Sequence, residues 1–246
     1  MILSLEQNMS FKVKKGKIME LLLDTANLAA IKQWTDCLPI AGVTSNPSII
    51  KKEGKIDFFN HMRQIRSLIG KEHSLHIQVV ATEYEEMLSE AKRIVTEIDP
   101  DVYIKVPVNP VGIKAIKELK RQGLKVTATA IYTEFQGYLA IAAGADYLAP
   151  YFNRMENCNI DAQKIITHLA KEIERTNSPS KILAASFKNL GQVNAAIQSG
   201  AQAVTIGNEV VNQIFAMPAI NQAVADFTKD WESIFGQEQK IYQLKA

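Results

Sequence analysis

Asp101-Val-Tyr-Ile-Lys-Val-Pro-Val108 is the stretch on which the fold turns. Val102, Ile104, Val106 and Val108 share one parity. They are apolar and β-branched, as befits a strand face packed on helices. Tyr103, Lys105 and Pro107 share the other parity. If that second face also points inward, Lys105 carries its ammonium where water is scarce. Burying it costs several kcal/mol unless it is paired or gives up its proton. A lysine without its proton is an amine nucleophile of the kind that forms Schiff bases with carbonyl substrates. The competing reading is an edge strand with Lys105 in water.

The flanking sequence repeats the pattern. Strands are expected at 19–24, 40–46, 75–81, 124–131, 145–151, 181–186 and 203–206, besides the opening stretch. Helices are expected between them. Asn27 caps one running to about residue 37, and Asp57 caps another through 69, with Phe58, Met62, Ile65 and Ile69 at helical spacing. Thr82 and Glu85 suggest a capping box for a helix to 98, and Pro110 opens a helix through 121. Further helices are read at 134–143, 161–175 and 189–198. Asn208 caps a short one to 216, and Pro218 opens a long last one to about 235. Asn46-Pro47 reads as a stop, and the run with Asn153, Asn157 and Asn159 as a loop. Eight strands alternating with helices point to a parallel sheet. Eight such units in roughly 230 residues suit the α/β class as a single (β/α)8 TIM barrel with an extra C-terminal helix. The alternative is a doubly wound open sheet, which normally carries a glycine-rich phosphate loop after its first strand; Asp24-Thr-Ala-Asn27 is not one.

Composition narrows the class. The chain has 246 residues, 47% hydrophobic and 22% charged, which is ordinary for a globular protein with a large core. A net charge of +2 argues against a nucleic-acid surface. Two cysteines, Cys37 and Cys158, make no disulfide framework, so a reducing, cytoplasmic compartment is expected. No apolar run approaches the roughly 20 residues of a membrane span. Residues 1–18 place Lys12, Lys14, Lys15 and Lys17 after a short apolar start, the wrong order for a signal peptide. They read as an N-terminal extension, either disordered or ahead of a true start at Met19. The barrel then takes 19–236 and a polar C-terminal tail takes 237–246.

Barrel active sites lie at the C-terminal ends of the strands. Reading those ends gives Asp24, Asn46, Gln78, Lys105, Thr129, Tyr151 and Ser186. Each has a bland explanation of its own. Asp24 or Ser186 can cap a helix, Asn46 can make a turn, and Tyr151 can be a core ring with a wet hydroxyl. Seven polar ends at once, six of them around one candidate buried lysine, are harder to explain that way. The histidines, His61, His73, His76 and His168, have no ligand spacing and read as surface or core residues, so no metal site is expected.

Four motifs carry a resemblance. Gly42-Val-Thr-Ser-Asn-Pro-Ser48, Ile104-Lys-Val-Pro-Val108, Ala149-Pro-Tyr-Phe-Asn-Arg154 and Ala184-Ala-Ser-Phe-Lys188 resemble the transaldolase superfamily, most closely its bacterial fructose-6-phosphate aldolase branch. The resemblance runs from Met19 to about Gly236. It implies a (β/α)8 barrel with Lys105 as the Schiff-base residue. It implies that Asp24 and Asn46 hold donor hydroxyls and that Arg154 and Ser186 bind the substrate phosphate, with Ala149 also among the substrate-binding residues. Transaldolases of the superfamily have Glu, Asn and Phe where this chain has Gln78, Thr129 and Tyr151. The aldolase branch has Gln, Thr and Tyr, and there the three position a water that moves protons at the imine. The departure at Ser45, from the common threonine, keeps the hydroxyl.

The resemblance thus implies reversible cleavage of fructose 6-phosphate to dihydroxyacetone and glyceraldehyde 3-phosphate, without metal or organic cofactor, since an iminium serves as the electron sink. The implied partner is a small sugar phosphate, not nucleic acid or membrane. The resemblance also suggests a ring-built homo-oligomer, a decamer among the sizes it allows. Ile220, Val224, Phe227 and Trp231 on the last helix fit either a neighbouring subunit or the same barrel. Two other activities remain open: a transaldolase passing the enamine to an aldose phosphate, and a non-catalytic sugar-phosphate-binding barrel.

Overall fold

Eight strands close into a barrel in sequence order in the computed structural model, which describes residues 19–245. They are β1 (Glu20–Asp24), β2 (Ile40–Thr44), β3 (Ser74–Gln78), β4 (Tyr103–Pro107), β5 (Lys125–Ile131), β6 (Tyr147–Pro150), β7 (Lys181–Ala184) and β8 (Ala203–Ile206). All neighbours pair in parallel, and β1 bonds both β2 and β8. An open sheet would have two free edges; closure leaves none, which rules out the doubly wound alternative. It also rules out the edge-strand reading of the opening stretch. β4 lies between β3 and β5, and Lys105 is 4% exposed.

The helices follow the strands as α1 (Leu28–Cys37), α2 (Pro47–Lys52), α3 (Phe58–Ile69), α4 (Tyr84–Glu97), α5 (Pro110–Arg121), α6 (Glu134–Ala142), α7 (Phe152–Asn157), α8 (Ala162–Arg175), α9 (Leu190–Gln198), α10 (Asn208–Val211) and α11 (Pro218–Phe235). Local chemistry starts most of them. Asn27, Asp57, Asn109, Asp161 and Asn189 each accept a hydrogen bond from a first-turn amide, satisfying a donor that the helix itself cannot. The two parities of β4 separate as expected. Ile104 and Val106 pack outward under the helices in the large core. Tyr103 points inward with Leu22, Tyr147 and Leu183, which plug the lower barrel.

Several local expectations fail for identifiable reasons. α2 and α7 stand where a stop and a loop were expected; at six residues each they are too short to show a 3.6-residue period. The capping box forms not at Thr82 and Glu85 but at Thr133 and Gln136. α4 starts at Tyr84, and it is Glu90 from within that helix that accepts from the amides of Val80 (2.7 Å) and Ala81 (3.0 Å). Asn208 does not cap α10; it is the first residue of the helix, after Gly207. Residues 1–18 lie outside the described residues. The tail is partly ordered. The Trp231 indole donates to the Gln239 carbonyl (2.7 Å), and a 3-10 turn covers Ile241–Gln243. α11 buries none of its residues, and Phe227 is 71% exposed, so its apolar positions do not pack into this barrel.

Candidate active site

Strand ends that are far apart in sequence converge because the barrel closes. Asp24, Asn46, Gln78, Lys105, Tyr151, Arg154 and Ser186 line one cavity of about 260 Å³ at the C-terminal ends of the strands. Thr129 stands behind it, fully buried, donating its hydroxyl hydrogen to the Tyr151 phenol oxygen at 3.0 Å. Ala149, on β6 two residues before Tyr151, is 2% exposed and does not line the cavity; Ala185 does. Pro47 and Ser48, at the start of α2, also line it, and the sequence reading missed both. A helix predicted directly after Asn46 would have placed them there.

Each polar group is held by its own element. Asn46 ends the turn after β2 and accepts the Ile49 amide hydrogen at 3.0 Å, capping α2. With its oxygen so used, what Asn46 can offer a ligand is its amide NH2. Asp24 accepts a 2.6 Å hydrogen bond from Thr44, whose hydroxyl is in turn 2.7 Å from that of Thr205. Thr44 shares its parity with Asn46 two residues on, which is the signal in the sequence that points to it. Thr129 precedes Ala130, which has φ 58 and sits where the pairing of β5 with β6 shifts register. Such an irregularity next to a site re-aims side chains. Ser186 on the cavity wall has φ 64, a left-handed conformation that costs a non-glycine residue about 1–3 kcal/mol and that persists only under the hold of its surroundings. One such hold is the Asn153 amide, which donates to the Ser186 carbonyl at 2.9 Å.

Electrostatics follow from burial. Lys105 is pushed below the usual lysine range by desolvation, against the attraction of the nearby Asp24 carboxylate. Asp24 is pushed above the usual carboxylate range, also by burial, against Lys105 and the Thr44 hydrogen bond. Both shifts favour uncharged forms, which raises the population of free amine. Burial pushes the Tyr151 phenol up too, so it is a proton donor at neutral pH. The buried Gln78 amide oxygen has no hydrogen-bond partner and is an acceptor waiting for a ligand or water. At the rim, the Arg154 guanidinium lies 4.7 Å from the Tyr151 ring centre and donates weakly, at 3.4 Å, to the Tyr132 hydroxyl. Among the described residues no group of three or more His, Cys, Asp or Glu side chains is placed to hold a metal ion.

A buried amine, a phenol donor and a rim guanidinium around one cavity form a constellation that sequence comparison can place. The family model for transaldolase/fructose-6-phosphate aldolase matches residues 21–244. The chain belongs to this family. A relative named a probable fructose-6-phosphate aldolase, from Streptococcus pneumoniae (strain ATCC 700669 / Spain 23F-1), is 57% identical over 213 residues, which cover 87% of this chain and 96% of that protein. The family match spans every cavity residue and α11, and begins after residues 1–18.

Proposed function

We propose that the protein is a Schiff-base aldolase that reversibly cleaves fructose 6-phosphate into dihydroxyacetone and glyceraldehyde 3-phosphate. The observation that carries this is the placement of Lys105. It is a buried amine, held toward its neutral form, in the same cavity as a phenol whose oxygen is fixed by Thr129. The 57% identical relative supports the choice of reaction.

The steps follow from the parts. Neutral Lys105 attacks the C2 carbonyl of the substrate; loss of water gives an iminium. Its positive charge draws the electrons of the C3–C4 bond as the C4 hydroxyl loses its proton. Glyceraldehyde 3-phosphate leaves, and the remaining enamine takes a proton at C3. Water then adds to the iminium and releases dihydroxyacetone and free Lys105. We assign the proton traffic to Tyr151 and a water held between it and Gln78, with Asp24 beside the amine. The protonated phenol and the unpartnered Gln78 oxygen support this assignment. Asn46 and Asp24 hold donor hydroxyls. Arg154 and Ser186 receive the phosphate; a guanidinium offers a planar fork of donors suited to it.

Borohydride reduction in the presence of dihydroxyacetone tests the reading: a covalent adduct is expected on the peptide containing Lys105 and nowhere else. No adduct would point to a binding barrel without catalysis. Supplying erythrose 4-phosphate separates the second activity. Free dihydroxyacetone is expected; predominant transfer products would make the protein a transaldolase.

Assembly belongs to the same proposal. Val224, Phe227, Ile234, Ile241 and Tyr242 leave an apolar surface on α11 and the tail, larger than single scattered residues explain. We assign it to a homo-oligomer, for which truncation before Pro218 should lower the mass seen by light scattering to that of a smaller species. Cys37 and Cys158 are both unpaired and exposed, which suits a reducing, cytoplasmic compartment. No helix of the described residues is long and apolar enough to cross a membrane.

A further inference from the structure

His76, a buried titratable residue of the barrel interior, has no part in that mechanism. His76 is fully buried on the inner face of β3, two residues before Gln78. Its ring does not stay with its own strand. It stacks on Tyr103 of β4, with centres 4.6 Å apart and planes at 11°, and meets Tyr147 of β6 edge-on at 5.1 Å. Its Nδ1 lies 2.8 Å from the hydroxyl of Thr127 on β5, and its Nε2 lies 3.0 Å from the hydroxyl of Ser74. The imidazole therefore crosses the inner face of β4 from β3 to β5. The register says where. Tyr103 pairs with His76, and Lys105, the next inward residue up, pairs with Gln78 on one side and Thr127 on the other. The ring lies one layer below Lys105, and its Nδ1 reaches the residue paired with that lysine.

We assign its tautomer from the hydrogen bonds around it. The Ser74 hydroxyl donates to the Ala41 carbonyl at 3.3 Å, so toward His76 it presents lone pairs and receives Nε2–H. Nδ1 is then the unprotonated nitrogen and accepts from Thr127. Protonating it would break that bond and place a cation beneath the amine.

We propose that His76 is a positioning residue for Lys105: a neutral imidazole, tied by Thr127 and Ser74, that forms an uncharged, rigid floor under the amine. It does not line the cavity, so it acts through Lys105 and not on the substrate. The inference rests on Lys105 being the Schiff-base residue. Other charged or titratable groups face this layer: Asp24 from β1, Tyr103 from β4, Tyr147 and Tyr151 from β6 and its end. Glu20 and Lys181 pair below Tyr147, and Arg66 lies outside on α3. None of them is altered by the test.

Thr127→Val keeps the shape of the side chain and removes the tie; Thr127→Ser keeps the tie and removes a methyl. For Thr127→Val we expect kcat for fructose 6-phosphate cleavage to fall about 10- to 100-fold, as small displacements of a reacting group do, with KM little changed. Without its donor, Nδ1 binds a proton more readily, so the acid limb of kcat should move up by about half a pH unit to one unit, the equivalent of one hydrogen bond. Thr127→Ser should restore both kcat and limb. In Thr127→Val/His76→Phe the upward movement of the limb should vanish while kcat stays low, because nothing under Lys105 can then be protonated. The inference is overturned if Thr127→Val keeps kcat within twofold, if Thr127→Ser is no better than Thr127→Val, or if the acid limb stays put or shifts equally in the double variant. Borohydride trapping of the unaltered protein with dihydroxyacetone is the control. Its failure would sink the Schiff-base reading itself and not this inference alone.

Discussion

Tyr151→Phe separates what the phenol does for catalysis from what it does for the fold. Removing the hydroxyl deletes a group just past β6 that faces the cavity and bonds Thr129. A general acid–base contributes about 10²- to 10⁴-fold, or about 3–5 kcal/mol of barrel-top transition-state stabilisation, and cleavage should fall by that factor. Imine formation needs only Lys105, so borohydride trapping with dihydroxyacetone should persist. The fold suffers for a different reason. Thr129 is fully buried, and its hydroxyl would lose its acceptor. Such an orphan costs about 1–3 kcal/mol, which for a chain of this size lowers Tm by about 2–12 °C. Thr129→Val/Tyr151→Phe removes both partners, and Tm should largely recover while activity does not. Coupled detection of glyceraldehyde 3-phosphate and a thermal melt on the same three proteins give both readings. Cleavage within twofold of the parent in Tyr151→Phe would refute the assignment of proton transfer. Activity recovering together with Tm in the double variant would reduce Tyr151 to a structural residue.

Lys105→Met should abolish trapping and cleavage yet melt higher at pH 7 by about 1–4 kcal/mol, because an apolar side chain replaces a desolvated one. The sign is set by the depressed pKa: between the folded and unfolded values the unfolded chain holds the extra proton, so the parent gains stability as pH rises and the advantage of the variant should shrink toward pH 10.5. A gap that widens with pH would contradict a buried amine. Arg154→Ala should raise KM for fructose 6-phosphate about 10- to 100-fold, the loss of one or two charge-assisted bonds, and leave trapping with unphosphorylated dihydroxyacetone unchanged. Gly112→Ala tests the seat of β4. Its Cβ would come within 1.9 Å of the Pro107 carbonyl oxygen, so α5 or the end of β4 must move, at about 1–3 kcal/mol or more and with a loss of kcat. An unchanged melt and turnover would show that the strand end is softer than its packing implies.

The amino-acid sequence alone specified what depends on local chemistry and on periodicity. The alternation in 101–108 separated a helix-facing set from Tyr103, Lys105 and Pro107, because neighbouring side chains on a strand must point to opposite faces. Asn27 and Asp57 marked helix starts because a side-chain acceptor three residues before an orphan amide is a short-range bond. Eight strand–helix units limited the topology, and the polar strand ends named seven of the residues that share one cavity or bond to its wall. Thr82 failed as a cap, and α2 and α7 went unseen, because a tertiary bond from Glu90 and six-residue helices leave no periodic trace. Closure of the sheet decided the rest. Only when β8 meets β1 does the inner parity of β4 become a place without water, and the pKa of Lys105 falls for that reason alone. Likewise, His76 and Thr127 are 51 residues apart and carry no shared pattern. The register of β3, β4 and β5 brings them together beneath the lysine, and it is the tertiary structure that leaves the apolar face of α11 outside the core of this barrel.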